Sequence, residues 1–272
     1  MWAPFAESHS IERIRVVIAL KQPLGQKKIR ELQGSFEAAR EGLGFDPLVE
    51  TSGAALAFQF GPAGIVPLSD QGKNTLAGWQ AKRSISPDFV AEALTLNTTD
   101  GPQGGATLTY ESTEYTRWSV FAERLHRVLN PIVQSYIGHG DIATVFLEFY
   151  DRFNWTNQGS IGRPSDFLPA LSIAMPSAAM DDGELWHMYR GWFEAGSHGK
   201  LLINQNFDCQ DLQLNGQNVR TIQVLTRAEG RVGFWDLENV PLDAHLDIMH
   251  DRTKEVFSNV LSDDMKRQIG IV

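Results

Sequence analysis

Cysteine is almost missing from this sequence: Cys209 is the only one in 272 residues. That excludes an internal disulfide framework and any all-cysteine zinc site, and it points to a reducing compartment. Long apolar runs are also missing, since nothing approaches the roughly 20 residues of a membrane span. The opening MWAPFAESHSIERIRVVIAL lacks the basic start and apolar stretch that export requires, so the expectation is a cytoplasmic protein with no membrane partner. On that ground the glycosylation patterns at Asn97 and Asn154 are chance matches.

Positive charge is in short supply, with 24 Lys and Arg against 33 Asp and Glu. Residues 1–140 carry a net −1 and residues 141–272 carry −8, so the acidity belongs to the second half. Phosphate tracking needs clustered cations, and a pI near 5.3 argues against nucleic acid as a partner. Local basic groups around Arg13, Arg15 and Lys27, and around Arg124 and Arg127, read as solvated faces. The phosphate loop, the dinucleotide fingerprint, H-E-x-x-H and G-x-S-x-G are all absent, so no cofactor is expected. Gly196-Ser197-His198-Gly199 places serine beside histidine without nucleophile-elbow spacing and reads as a hairpin turn.

What is present is a folded protein's composition, 42% apolar and 21% charged. Ile14, Val16, Ile18 and Leu20 alternate as a strand, and Ile29, Leu32 and Phe36 then recur at helical spacing up to Gly42 and Gly44. Short apolar runs between Ala54 and Glu111, broken by Gly, Pro, Asn and Asp, predict an antiparallel meander. A helix follows, capped by Thr116, with Trp118, Phe121, Leu125, Val128 and Ile132 on one stripe and Pro131 kinking or breaking it after Asn130. The second half repeats the plan: a strand over 141–150, a short helix from Arg163 to Ala174, strands at 184–195, 199–211 and 217–228, and a closing helix from Leu242 through Leu261 with Ser262 capping a last turn. Asn215-Gly216 is the strongest hairpin signal.

Each half therefore reads strand, helix, meander, helix. Gly78-Trp79 matches Gly191-Trp192, and Leu125-His126 matches Met249-His250, which suggests an internal duplication. The fold expectation is α+β, with curved antiparallel sheets packed on long helices. The halves, 1–140 and 141–272, are expected to pack as one unit because no Pro/Gly/Ser linker separates them.

Two clusters carry chemistry. Helical spacing brings Asp247, His250 and Asp251 together, a set able to ligate a divalent metal and equally suited to helix-end electrostatics. The stretch Tyr150-Asp151-Arg152-Phe153-Asn154-Trp155 mixes charge, amide and aromatic groups near a strand end, and Tyr150, Arg152, Asn154 and Trp155 are read as binding residues.

The segment LDAHLDIMHDRTKEVFSNVLSDDMKRQIG resembles the closing helix of a sporadically distributed bacterial family of conserved hypothetical proteins. IERIRVVIALKQPL, TEYTRWSVFAERLHRVLNPIV, VFLEFYDRFNW, KLLINQNFDC and VRTIQVLTR follow that family's order, so the resemblance covers most of the chain. Family members have a more regular Tyr-x-Asn where this chain has Tyr150 to Asn154. The resemblance implies a bacterial, cytosolic setting and transfers no reaction or site. The functional expectation is a non-enzymatic binding or regulatory protein acting on a protein partner or a small molecule. The alternatives are a metal-dependent hydrolase or nuclease using Asp247, His250 and Asp251, and a small-molecule binder with an aromatic-lined pocket between sheet and helix.

Overall fold

The computed structural model describes residues 1–6, 8–53, 58–61, 64–67, 75–87, 89–98, 104–138, 141–157, 162–166, 168, 185–214 and 216–271. After β1 (Trp2–Pro4), β2 (Ile11–Leu20) buries Ile14, Val16 and Ile18 on one face, as its alternation requires. α1 (Gln26–Leu43) buries Ile29, Leu32 and Phe36 and stops at Gly44, whose φ of 76° no side-chain-bearing residue adopts easily.

The meander consists of β3 (Val49–Gly53), β4 (Phe58–Gly61), β5 (Gly64–Pro67), β6 (Thr75–Ser86), β7 (Phe89–Asn97) and β8 (Thr107–Ser112). Of these, β4 and β5 pair only with each other. Part of the run predicted from Ala54 lies outside the described residues. α2 (Trp118–Tyr136) corrects two expectations. Its N-cap is Arg117, with no side-chain bond, rather than Thr116. It also runs through Pro131, which overturns the break after Asn130 though not the kink, because Leu129, Ile132 and Val133 are buried on either side and tertiary packing outweighs one lost hydrogen bond.

β9 (Ile142–Trp155) opens the second half. A single 3₁₀ turn, Pro164–Asp166, stands at the start of the helix expected from Arg163 to Ala174, most of which lies outside the described residues. β10 (Trp186–Gly196), β11 (Gly199–Leu214) and β12 (Gln217–Trp235) form two successive hairpins. The last two outrun their predicted ends because polar side chains on the outer face leave backbone pairing intact. At the first hairpin, Gly196 pairs with Gly199 across Ser197-His198. A Cβ on Gly199 would lie 2.0 Å from the Phe234 carbonyl, so only glycine fits. α3 (Leu242–Ser258) and α4 (Asp263–Gln268) close the chain, leaving Val260 and Leu261 buried in the turn between them.

The main sheet is antiparallel throughout, in the order β10-β11-β12-β9-β2-β8-β7-β6-β3, with β1 added beside β9. Pairing of β2 with β9, Val16 opposite Leu147 and Ile18 opposite Val145, joins the two halves in one sheet. Outward from that seam the second half runs β9-β12-β11-β10 and the first half β2-β8-β7-β6-β3, so the first half carries one strand more on this path. Side chains of α1, α2 and α3 pack with the inward faces of β2, β9 and their neighbours in one cluster. A second cluster of Trp2, Phe153, Phe207, Ile222, Phe257 and Met265 continues it under the end of α3. Among the described residues no helix is long and apolar enough to cross a membrane.

Candidate functional site

Strand geometry decides where the residues of β9 go. Successive side chains alternate, so Val145, Leu147, Phe149, Asp151 and Phe153 face the helices while Phe146, Glu148, Tyr150 and Arg152 face away. Asp151 is thus a carboxylate in an apolar register, 2% exposed, beneath α3.

Four carboxylates are buried among the described residues, and three of them are neutralised by arginine. Glu92 meets Arg83 at 3.1 Å and Arg124 at 2.6 Å. Glu148 meets Arg15 at 2.5 Å and Arg227 at 3.7 Å. Glu229 meets Arg227 at 2.6 Å and also Arg231. Among the described residues Asp151 has no cation, only the Ser10 hydroxyl, which donates to Oδ1 at 2.6 Å. Burial raises its pKa to about 7, against a smaller lowering by that bond.

Asp151 lines a cavity of about 240 Å³. Residues 8–11, the segment entering α2, α3 and residues 269–271 enclose it over β9 and β12. Its walls are aromatic. Tyr115 stands edge-on to Phe149 at 6.1 Å and to His9 at 6.1 Å. Trp118 stacks on His250 with centroids 4.4 Å apart and planes 11° from parallel. The Trp118 indole donates to Asp247 Oδ1 at 2.7 Å, which fixes the plane of the stack. On the floor, Thr226 sits opposite Phe149 and accepts from Gln205 Nε2 at 3.3 Å, and Gln205 in turn accepts from Arg190.

The other ionisable groups respond to the same enclosure. Burial lowers the pKa of His9, against the smaller raising effect of a hydrogen bond with the Ile11 backbone. Burial also lowers that of His250, outweighing the raising effect of Asp251. Burial first, and then the charge of Asp151, push the Tyr115 phenol up. At the mouth, Arg117 and Lys254 are exposed and form no salt bridge among the described residues.

Tyr150, Arg152 and Asn154 stand on the face opposite the cavity. Arg13 lies 3.8 Å over the Tyr150 ring, and Arg152 bonds Glu12 at 2.6 Å and lies 4.4 Å over Phe5. Trp155 returns to the helix side, where it meets Trp2 edge-on at 5.3 Å. These four residues do not converge on one site; Asp151 between them is the one that enters the cavity. Asp247, His250 and Asp251 do share the helix face the spacing placed them on. They do not point at a common centre: Asp247 takes the Trp118 proton, and His250 Nδ1 lies 3.0 Å from an exposed Asp251 oxygen. Among the described residues no three His, Cys, Asp or Glu side chains are grouped to hold a metal. Sequence reasoning missed Ser10, His9, Tyr115 and Thr226. The one available signal was an aspartate at the apolar phase of the alternation VFLEFYDRF.

Comparison of the chain with models of known protein families and with curated proteins yields no match.

Proposed function

We propose that this is a small-ligand-binding protein with a regulatory rather than catalytic role, its ligand held between the sheet and α3. The observation that carries the reading is Asp151, the one buried carboxylate without an arginine among the described residues, set in an aromatic-walled cavity. A charge left without a partner in an apolar wall destabilises the fold, and a bound donor supplies the missing partner. Cys209 does not compete as a nucleophile: it is buried, and its thiol is pushed up to about 11 by burial. The setting proposed remains a bacterial cytoplasm.

The test is a thermal-shift screen of the full chain with planar aromatic compounds bearing basic or N–H groups. A true ligand at a hundredfold excess over Kd adds about 2.7 kcal/mol, a rise on the order of 5 °C. Trp118→Ala, which removes one wall, should abolish that rise. A broad library that leaves the melting temperature unmoved sinks the reading.

We also infer that the halves descend from one duplicated unit. Gly78-Trp79 on β6 and Gly191-Trp192 on β10 occupy strands at equal distance from the seam, and His126 and His250 lie on the long helix that follows the meander of each half. Superposition of the halves should match Trp79 with Trp192 and His126 with His250; any other pairing overturns the inference.

A further inference from the structure

Resting on that reading, we propose that the ligand is a planar amino-heterocycle that offers a pair of adjacent N–H donors to Asp151 and carries an anionic group at the cavity mouth. Guanine-type and pterin-type rings both have this chemistry.

Three features of the site select it. The first is the acceptor. Ser10 occupies one lone pair of Oδ1, so the Asp151 carboxylate keeps most of its accepting capacity, and a carboxylate is best satisfied by two parallel N–H bonds. An isolated ammonium supplies charge without that fork, whereas the 2-amino-oxo edge of a guanine or pterin supplies it within a flat ring.

The second is shape. Trp118 and His250 present a stacked pair, Phe149 tilts against both at 6.5 and 6.0 Å, and Tyr115 stands edge-on to Phe149, so a ring entering the cavity meets a continuous aromatic wall of faces and edges. A cavity of about 240 Å³ holds roughly one fused bicyclic ring, below the usual range for whole drug-sized ligands. Whatever is attached to the ring must leave through the mouth.

The third is charge at that mouth. The half of the sequence that supplies most of the walls carries −8, yet the cavity opens past Arg117 and Lys254, two cations with no carboxylate partner among the described residues. They suit a phosphate or carboxylate on the emerging part of the ligand. A bare base would leave them unused, and an anion without the ring would leave Asp151 unanswered.

The experiment is calorimetric titration of the full chain at pH 8 with guanosine, guanosine 5′-monophosphate, adenosine 5′-monophosphate and pterin-6-carboxylate. The phosphate or the carboxylate ligand should bind at least tenfold more tightly than guanosine, and which of them binds better identifies the source. Adenosine 5′-monophosphate, lacking the donor pair, should bind at least tenfold more weakly than its guanine counterpart. Asp151→Asn should erase the guanine-over-adenine preference. The double variant Arg117→Ala with Lys254→Ala should erase the gain from the anionic group, so that guanosine 5′-monophosphate binds no more tightly than guanosine. If none of the four saturates while the broad screen finds another occupant, this inference fails and the binding reading stands. If the cavity accepts nothing, both fail.

Discussion

Asp151 is the residue on which the site turns, and its ionisation has a measurable consequence for the fold. An acid whose pKa lies near 7 in the native state and near 3.8 in the unfolded chain binds more protons folded than unfolded between those values. Its contribution to stability is therefore least unfavourable below about pH 4, worsens as pH rises, and reaches its full penalty above about pH 7. Asp151→Asn keeps the shape and the Ser10 bond while removing the charge. It should stabilise the protein by about 1–3 kcal/mol at pH 8, do little at pH 4, and flatten the profile between them. Urea unfolding of both proteins at pH 4, 6 and 8 measures this, and equal slopes would show that the carboxylate is not desolvated. The same residue marks the limit of what the sequence discloses. Its phase within β9 is legible from alternation alone, but the absence of a cation is not, because Ser10, Tyr115 and His250 reach it from segments more than 30 positions away in the chain.

At the scale of elements, the local signals were read well where one principle dominated. β2 and α1 follow from their periodicities, and the Ser262 cap is found as expected, its hydroxyl accepting from the Met265 amide. Reading failed where packing overrode a local rule, as when α2 ran through Pro131, and where the polar outer faces of β11 and β12 disguised their length. The Asp247 and His250 pair shows a third kind of limit. Spacing places both on one helix face, but their contacts with Trp118 come from tertiary packing that spacing does not disclose. The Ser262 cap also bears on the site, because α4 anchors Ile269 and Ile271 at the cavity wall. Ser262→Ala should cost about 1 kcal/mol. Hydrogen exchange should show faster exchange at 263–271 while β9 and β12 keep their protection, and uniform acceleration along the chain would contradict a local role.

For the molecule as a whole, the seam between β2 and β9 is the decisive contact. It runs through the middle of one continuous sheet, and the main apolar cluster draws on both halves. The two segments should accordingly unfold together. Far-ultraviolet circular dichroism and tryptophan fluorescence are expected to give one coincident urea transition. Two separated midpoints would mean that each half holds its own core. The pairing of β2 with β9 and the outward order of strands needed the structure, since parity and turns fix hairpins but not which strands meet across the seam.

The cavity's walls include residues 8–11 and residues 269–271, drawn from opposite extremes of the described chain. A nascent polypeptide synthesised from its amino end can pair β2 with β9 and lay down the second meander while the last wall is still inside the ribosome. The cavity therefore has an open floor before it is closed, because the wall at residues 269–271 is made after the rest of its lining.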